Sequence, residues 1–355
     1  MSTPTDDDLG PLAARVPAAL RGSSAYHVPL PPTVTAKLDA NELPFGLPSE
    51  LRTRLAAVLQ EVPLERYPDP AAKRLRAVVA AQLGVGGDHV VFGNGSDELI
   101  SMLANAFAGP LLYPSPTFVY YKLAAVARGL PVIEVPLGPR FELDEDAIVG
   151  AIERARPTVV FLALPNNPTG TLWRTTFALE LAAKFRDVVI VSDEAYVAYS
   201  GQSNLPALAA YPNLVVMRTL SKVGMAGLRV GFTISSPAIA RVLEKVRPPY
   251  NVSALDQAAA TFLLEEAHAW CAARAAEVVG ERAKLAAALA AKGLDVFASE
   301  ANLVLVRVGD AAETWRQLAH VGISVRAFGD AGPLAGCLRI TVGTPAENAA
   351  LLAAL

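Results

Sequence analysis

Short apolar runs alternate with amphipathic stretches through the first two thirds of the chain. The run Val188-Val189-Ile190-Val191 is apolar at every position, which is typical of a strand in a sheet buried on both faces. Strands are predicted at 89–92, 110–113, 132–136, 158–163, 188–192, 214–218 and 229–234. Helical periodicity predicts helices between them at 71–83, 97–108, 144–154 and 175–184. Because strands that alternate with helices form βαβ units, the pattern predicts an α/β fold with a mainly parallel sheet.

The pattern changes after Arg247-Pro248-Pro249. Helical periodicity covers 253–292 with a break inside it, and further elements follow it: strands at 302–308, 324–327 and 337–342, and helices at 311–320 and from Pro345. A sheet with segregated helices is typical of a smaller α+β domain. We therefore predict an N-terminal arm at 1–40 that packs with the small domain, a large domain at 41–247 and a small domain at 248–355.

Composition narrows the class of protein. The 355 residues are 52% apolar and 18% charged, which excludes intrinsic disorder. A net charge of −3 offers no basic field for nucleic acid. Two cysteines cannot build a disulfide framework, and the four histidines lack the spacing of metal ligands, so no metal is expected. The acidic start and the lack of a long apolar stretch predict a cytoplasmic protein without a membrane span.

Polar and glycine-rich segments follow several predicted strands, where open parallel sheets bind their ligands. The segment 93–98, Gly-Asn-Gly-Ser-Asp-Glu, offers backbone N–H groups at a helix N-terminus, which suits a phosphate. A simple helix cap explains the same residues equally well. The segment lacks the third glycine of a Rossmann fingerprint and the Gly-Lys-Ser/Thr ending of a P-loop.

Lys222 is a candidate nucleophile, because it follows an apolar strand and lies among small residues. Burial there would lower its pKa and favour the neutral amine, although a solvated lysine at a strand end fits the sequence alone as well. Arg229 could hold a phosphate with its planar fork. Thr219 and Ser221 add hydroxyl groups nearby in the sequence.

Asp193 ends a buried apolar strand, where a carboxylate is costly unless it meets a cation; a helix cap is the alternative. A protonated pyridine nitrogen is one such cation. Tyr196 and Asn167 could donate hydrogen bonds to a phenolate oxygen. Together the candidates fit pyridoxal phosphate, which needs a lysine, a carboxylate for its ring nitrogen, donors for its ring oxygen, a stacked aromatic and a phosphate site.

The chain resembles the fold-type I pyridoxal-phosphate aminotransferases, and within them the histidinol-phosphate branch, from about Tyr26 to Gly343. The matching motifs are Asp-Ala-Asn-Glu at 39–42, Arg-Tyr-Pro-Asp-Pro at 66–70, the segment 93–98, Asn-Asn-Pro-Thr-Gly at 166–170, Asp-Glu-Ala-Tyr at 193–196, Ser-Lys at 221–222 with Ala-Gly-Leu-Arg at 226–229, Lys-Val-Arg-Pro-Pro-Tyr-Asn at 245–251 and Leu-Arg-Ile-Thr-Val-Gly at 338–343. The resemblance implies a seven-stranded, mainly parallel sheet in the large domain, and pyridoxal phosphate as the cofactor.

The resemblance also implies roles for the cofactor-binding residues. Lys222 would bond the cofactor covalently and move the substrate's α-proton, and Asp193 would pair with the ring nitrogen. Tyr196 and Asn167 would bind the ring oxygen, and Phe118 would stack on the ring where many members have tyrosine. The residues expected to hold the phosphate are Ser96, Asp97, Thr219, Ser221 and Arg229.

Substrate and subunit contacts are likewise expectations from the resemblance. Arg326 and Arg339 would bind the anionic end of the substrate, with Asn41 and Tyr26 beside it. Tyr67 would reach the cofactor phosphate of a neighbouring subunit, so the active unit is expected to be a homodimer. The implied reaction is ping-pong amino transfer between L-histidinol phosphate and 2-oxoglutarate. An aromatic amino-acid aminotransferase and a threonine-phosphate decarboxylase remain alternatives on the same fold.

Overall fold

The computed structural model describes residues 6–21, 31 and 33–355, which form two β-sheets and the helices that cover them. The strands are β1 (Ala36–Leu38), β2 (Val90–Asn94), β3 (Leu111–Ser115), β4 (Val132–Pro136), β5 (Val159–Ala163), β6 (Val189–Asp193), β7 (Leu214–Thr219), β8 (Val230–Ser235), β9 (Asp295–Val296), β10 (Leu303–Arg307), β11 (Ile323–Ala327) and β12 (Cys337–Thr341). The α-helices are α1 (Ala18–Arg21), α2 (Ser49–Gln60), α3 (Lys73–Leu83), α4 (Gly95–Ala106), α5 (Tyr120–Ala127), α6 (Glu145–Ala155), α7 (Thr176–Lys184), α8 (Val197–Ser200), α9 (Pro237–Val246), α10 (Ala254–Glu266), α11 (His268–Ala291), α12 (Ala311–His320) and α13 (Pro345–Ala354). Within these ranges no helix combines the length and apolarity that a bilayer crossing requires.

The first sheet contains seven strands in the order β2-β8-β7-β6-β5-β3-β4. Strand β8 runs antiparallel to both of its neighbours, β2 and β7, and the other neighbouring strands are parallel. This confirms the predicted α/β fold with a mainly parallel sheet. The reversed direction of β8 brings its start to the same edge as the ends of β2 and β7.

The two faces of the first sheet bury separate apolar cores. Successive residues of a strand point to opposite faces. Val160 and Leu162 of β5 therefore pack with residues of α3, α6 and α7, and Val159 and Phe161 pack with residues of α4, α5 and α9. Because helices cover both faces, the central strands are apolar throughout, which explains the continuous apolar runs of the sequence.

The second sheet has five strands in the order β1-β11-β12-β10-β9. Strand β1 pairs in parallel with β11, so the segment just before Asp39 joins a sheet built from the last part of the chain. Helix α11 covers this sheet, whereas α10 packs against α2 and α3 on the first core. The predicted break in 253–292 is confirmed at Ala267, between α10 and α11. The domain boundaries at 40–41 and 247–248 stay predictions.

A buried ion pair joins the ends of β6 and β7 beside the sheet edge. The Arg218 guanidinium donates to Glu194 Oε2 at 2.8 Å, and the Glu194 side chain is only 1% exposed. The Asn204 backbone N–H donates to Glu194 Oε1 at 2.7 Å, and the Ser203 hydroxyl donates to Oε2 at 2.7 Å. The carboxylate is thus fully hydrogen-bonded, which is the condition under which a buried charge is tolerated.

We expect Arg218→Met to lower the free energy of unfolding by about 3 kcal/mol, because it leaves the Glu194 charge buried and uncompensated. The double variant Glu194→Gln, Arg218→Met should recover much of this loss. Arg316→Met is the matched control, since Arg316 pairs with Glu313 on an exposed helix surface and should change stability little. Urea denaturation measures all three, and an Arg218→Met midpoint equal to that of Arg316→Met would contradict the prediction.

Candidate active site

A cavity of about 140 Å³ opens at the sheet edge where β5, β6 and β7 end. The last residues of these strands, Ala163, Asp193 and Thr219, all line it. The cofactor residues expected from the sequence that line it are Ser96, Asp97, Phe118, Asn167, Asp193, Tyr196, Thr219, Ser221, Lys222 and Arg229. The structure thus brings together residues that the sequence places up to 133 positions apart (229 − 96).

One side of the cavity is an anion cradle at the N-terminus of α4. Helix α4 begins at Gly95, where φ is +77°, and the Arg229 guanidinium lies against it: a Cβ at Gly95 would meet Arg229 Nη2 at 2.6 Å. A Cβ at Gly231 would lie 2.9 Å from the Ser96 nitrogen. Glycine at both positions therefore lets β8 approach the helix start. The Arg229 guanidinium also donates to Ser221 Oγ at 3.3 Å and to Asp97 Oδ2 at 3.1 Å. The cradle combines helix N–H groups, hydroxyls and a guanidinium, which suits a phosphate.

Asp193 presents a buried carboxylate at the floor of the cavity. The Tyr121 hydroxyl donates to its Oδ2 at 2.6 Å, and the Ala195 N–H donates to its Oδ1 at 3.1 Å. Burial, with the charges of Glu194 and Asp97, raises the pKa of Asp193 to about 6, against the two hydrogen bonds, which lower it. In the part of the chain that the structure describes, Asp193 forms no ion pair, so a cationic ring nitrogen would supply the missing compensation.

Lys222 lies across the cavity with its amine only partly solvated. Its Nζ donates to the Ala40 carbonyl oxygen at 3.0 Å. Burial, with the positive charges of Arg339 and Arg229, lowers the pKa of Lys222 to about 8, against the opposing charges of Glu42 and Asp97. A lysine with a lowered pKa is neutral in part near neutral pH and can act as a nucleophile or base. The Tyr199 hydroxyl donates to the Lys222 backbone carbonyl and fixes the main chain there.

The substrate residues expected from the sequence lie immediately behind the cavity wall. Asn41 Nδ2 donates to the Tyr196 hydroxyl at 2.9 Å, and Arg339 Nη1 donates to Asn167 Oδ1 at 2.8 Å. Arg326 lies opposite Arg339 in the β11–β12 ladder, so the two arginines are neighbours across the strands. These contacts place the second sheet next to the residues that line the cavity.

One residue expected to bind the cofactor, Tyr67, does not line the cavity. Tyr67 is 81% exposed, stacks on Tyr250 with ring centroids 4.6 Å apart, and lines a separate groove. Within a single chain it therefore makes no contact with the cavity, and its expected role toward a neighbouring subunit stays a prediction. Tyr26 lies outside the described residues.

Sequence reasoning missed three groups that support the site. Tyr121 on α5 binds Asp193, Tyr199 on α8 binds the Lys222 backbone, and the Ala40 carbonyl accepts the Lys222 amine. The two tyrosines belong to short helices that hydrophobic periodicity does not predict, so the sequence does not indicate where their side chains point. A backbone carbonyl carries no sequence signal at all.

The residues present fit pyridoxal phosphate. Arg229 and the start of α4 form a cradle that a Cβ would fill, Asp193 is a buried carboxylate without an ion pair among the described residues, and Lys222 has a lowered pKa. The cofactor's phosphate requires the cradle, its ring nitrogen requires the carboxylate, and its aldehyde requires the lysine.

Comparison with known proteins agrees with the site. The family model for aminotransferase class I and II matches residues 34–355. The chain is 43% identical to the histidinol-phosphate aminotransferase of Acidovorax sp. (strain JS42), covering 100% of this chain and 99% of that protein. It is 45% identical to the histidinol-phosphate aminotransferase of Chromobacterium violaceum, covering 93% and 94%.

Solved structures show the same fold. A histidinol-phosphate aminotransferase from Sinorhizobium meliloti, in complex with pyridoxal-5'-phosphate, superposes with a TM-score of 0.83 at 25% identity and 96% coverage of both chains. An L-threonine-O-3-phosphate decarboxylase from Porphyromonas gingivalis has a TM-score of 0.79 at 24% identity, covering 90% of this chain and 98% of that one, and shows the fold alone. The family predicted from the motifs is confirmed: the chain belongs to the aminotransferase class I and II family, whose enzymes depend on pyridoxal phosphate.

Proposed function

We propose that this protein is a histidinol-phosphate aminotransferase, which moves an amino group between L-histidinol phosphate and 2-oxoglutarate with pyridoxal phosphate as cofactor. The observation that carries the proposal is the cavity in which Lys222, Asp193 and Arg229 meet. Its support comes from relatives of that name that are 43–45% identical over nearly the whole chain. The cytoplasmic location stays a prediction from composition.

Bound pyridoxal phosphate supplies an electron sink for the bond broken at the carbon that carries the substrate amine. Lys222 would take the proton from this carbon, a task that requires its neutral amine, and would then give it to the cofactor's aldehyde carbon, to which the amino group is transferred. Asp193, when ionised, holds the proton on the cofactor's ring nitrogen. Arg229, with the α4 N-terminus, anchors the phosphate. Tyr196 and Asn167 orient the ring oxygen, and Phe118 covers the ring face.

Two arginines behind the cavity wall are the groups that we propose bind the anionic end of the substrate. Histidinol phosphate carries a phosphate, and glutamate and 2-oxoglutarate carry two carboxylates each, so one arginine fork can serve both half-reactions. Arg339 is held by Asn167 Oδ1 and the Asp39 carbonyl oxygen, which orients its guanidinium. Arg326 lies next to it on β11. Asn41 completes the proposed substrate set, together with Tyr26.

A half-reaction tests the proposal. Addition of L-histidinol phosphate alone to the holoenzyme should change the absorption spectrum of the cofactor, and 2-oxoglutarate should restore it. Lys222→Ala should slow this conversion by at least about 10³-fold, because it removes the acid–base group. The exposed Lys184→Ala is the matched control and should convert like wild type.

Other outcomes of this half-reaction would select the alternatives. A spectrum that ignores histidinol phosphate and responds to phenylalanine would indicate an aromatic amino-acid aminotransferase. Release of carbon dioxide from threonine phosphate without 2-oxoglutarate would indicate the decarboxylase. Either result would contradict the proposed substrate and leave the family assignment intact.

Arg339→Lys tests the anion site, because it keeps the positive charge and removes the bidentate fork. We expect KM for both histidinol phosphate and 2-oxoglutarate to rise by roughly tenfold or more, with a smaller change in kcat. Steady-state kinetics measure both constants, and the exposed Arg316→Lys is the control. Unchanged KM values for both substrates would place the anion site elsewhere.

We propose in addition that the enzyme acts as a homodimer in which Tyr67 serves the neighbouring subunit. Tyr67 and Tyr250 form an exposed aromatic pair, and the side chains of Leu64 and Leu255 are exposed near them in the sequence. An exposed apolar surface of this kind is typical of a protein–protein contact. A second copy of the chain is the occupant that would bring Tyr67 to a cofactor phosphate.

Coexpression of two inactive variants tests this arrangement. Tyr67→Ala and Lys222→Ala should each reduce activity at limiting cofactor. In a random mixture, half of the dimers contain one subunit of each variant, and each of these dimers has one intact site, in which Lys222 of one subunit meets Tyr67 of the other. About a quarter of wild-type activity should therefore return in the mixture, with sedimentation showing dimers. If the mixture only averages the two parents, Tyr67 acts within its own subunit or not at all.

A further inference from the structure

Tyr121 is a buried residue that contacts two groups of the proposed cofactor site without lining the cavity. It is 0% exposed, and its hydroxyl donates to Asp193 Oδ2 at 2.6 Å. Its ring meets the Phe118 ring edge to face, with centroids 5.8 Å apart and planes at 87°. The Tyr121 ring also stacks on Phe161 of β5, with centroids 4.5 Å apart and planes at 15°.

We propose that Tyr121 is a positioning residue that holds the Asp193 carboxylate toward the cofactor's ring nitrogen and sets the Phe118 ring against the cofactor's face. This inference rests on the proposed function, because both partners act on pyridoxal phosphate. Tyr121 would thus have two tasks: it orients the Asp193 carboxylate and it supports the Phe118 ring.

The Asp193 contact depends on the direction of the hydrogen bond. Burial, together with the Asp193 charge, raises the pKa of Tyr121 well above its ordinary value, so its hydroxyl keeps its proton and donates. Such a bond favours the ionised carboxylate. The carboxylates of Asp97 on α4 and Glu194 after β6 oppose the ionisation of Asp193, and Tyr196 lines the same cavity. Lys222 and Arg229 line the same cavity as cations.

The Phe118 contact matters because this ring has no hydroxyl to anchor it. Packing then sets the angle of the Phe118 ring: it stacks on Tyr120 with centroids 6.3 Å apart and meets Tyr121 edge to face, which is a preferred arrangement of aromatic rings. Tyr121 is fixed by its stack on Phe161, which belongs to a central strand. Tyr121 therefore links the Phe118 ring to strand β5 of the first sheet.

Cofactor affinity measured against pH tests the Asp193 contact. The ionised carboxylate binds the protonated ring, so affinity is present above the pKa of Asp193 and is lost as the pH falls through it. Tyr121→Phe removes the donor, raises that pKa and moves the loss of affinity upward by about one pH unit. The ratio of the variant's dissociation constant for pyridoxal phosphate to that of wild type should grow roughly tenfold between about pH 8.5 and about pH 5.5.

Tyr113→Phe is the matched control, because Tyr113 is a buried neighbour of Tyr121 whose hydroxyl makes no hydrogen bond to Asp193 among the described residues. The cofactor phosphate and Lys222 also titrate in this range, but they do so in all three proteins, so the difference between profiles isolates Tyr121. A Tyr121→Phe profile that coincides with those of wild type and Tyr113→Phe would overturn the inference. Failure of wild type itself to bind pyridoxal phosphate would contradict the proposed function and this inference together.

The visible circular dichroism of bound pyridoxal phosphate tests the Phe118 contact. Tyr121→Phe keeps the ring and should preserve the signal, whereas Tyr121→Leu removes the edge-to-face contact and should reduce it at saturating cofactor. Equal signals in the two variants would overturn the stacking role. The pH profile of Tyr121→Phe decides the Asp193 role even if Tyr121→Leu does not fold.

Discussion

The burial of two oppositely ionisable groups in one cavity is the constraint on which the rest of the site depends. Asp193 and Lys222 both lose hydration, so the pKa of Asp193 rises to about 6 and that of Lys222 falls to about 8. Among the described residues the two form no ion pair with each other. Each instead has its own support: the Tyr121 hydroxyl and the Ala195 N–H for Asp193, and the Ala40 carbonyl for Lys222. Both groups are therefore left free to act on a bound cofactor.

Strand direction explains how the remaining groups reach this cavity. Since β8 runs antiparallel between β2 and β7, its start lies where those two strands end. Arg229 directly precedes β8, and α4 directly follows β2, so the guanidinium and the helix N-terminus converge. Glycine at 95 and 231 allows the close approach that this geometry demands. A phosphate at this point would meet donors from two different strand ends.

The second sheet contributes to the site through residues that contact the side chains lining the cavity. Asn41 follows β1, and Arg339 belongs to β12; their side chains bind Tyr196 and Asn167 of the first part of the chain. A rearrangement of the second sheet would therefore alter the two groups that we propose bind the cofactor's ring oxygen. Tyr199 on α8 packs in the second core and binds the Lys222 backbone, which ties that core to the lysine.

The sequence by itself determined the α/β class, the seven strands of the first sheet and the family, because apolar periodicity and motifs such as Asn-Pro-Thr-Gly and Ser-Lys are local signals. Local chemistry also identified Lys222 and Asp193 as candidates, since a charged residue at the end of an apolar strand is unusual. Only the tertiary structure decided that Tyr121 supports Asp193 and that the Ala40 carbonyl holds Lys222. The first contact joins residues that are 72 positions apart in the sequence, and the second joins residues that are 182 positions apart. No local pattern encodes such contacts, because they arise from how strands and helices pack.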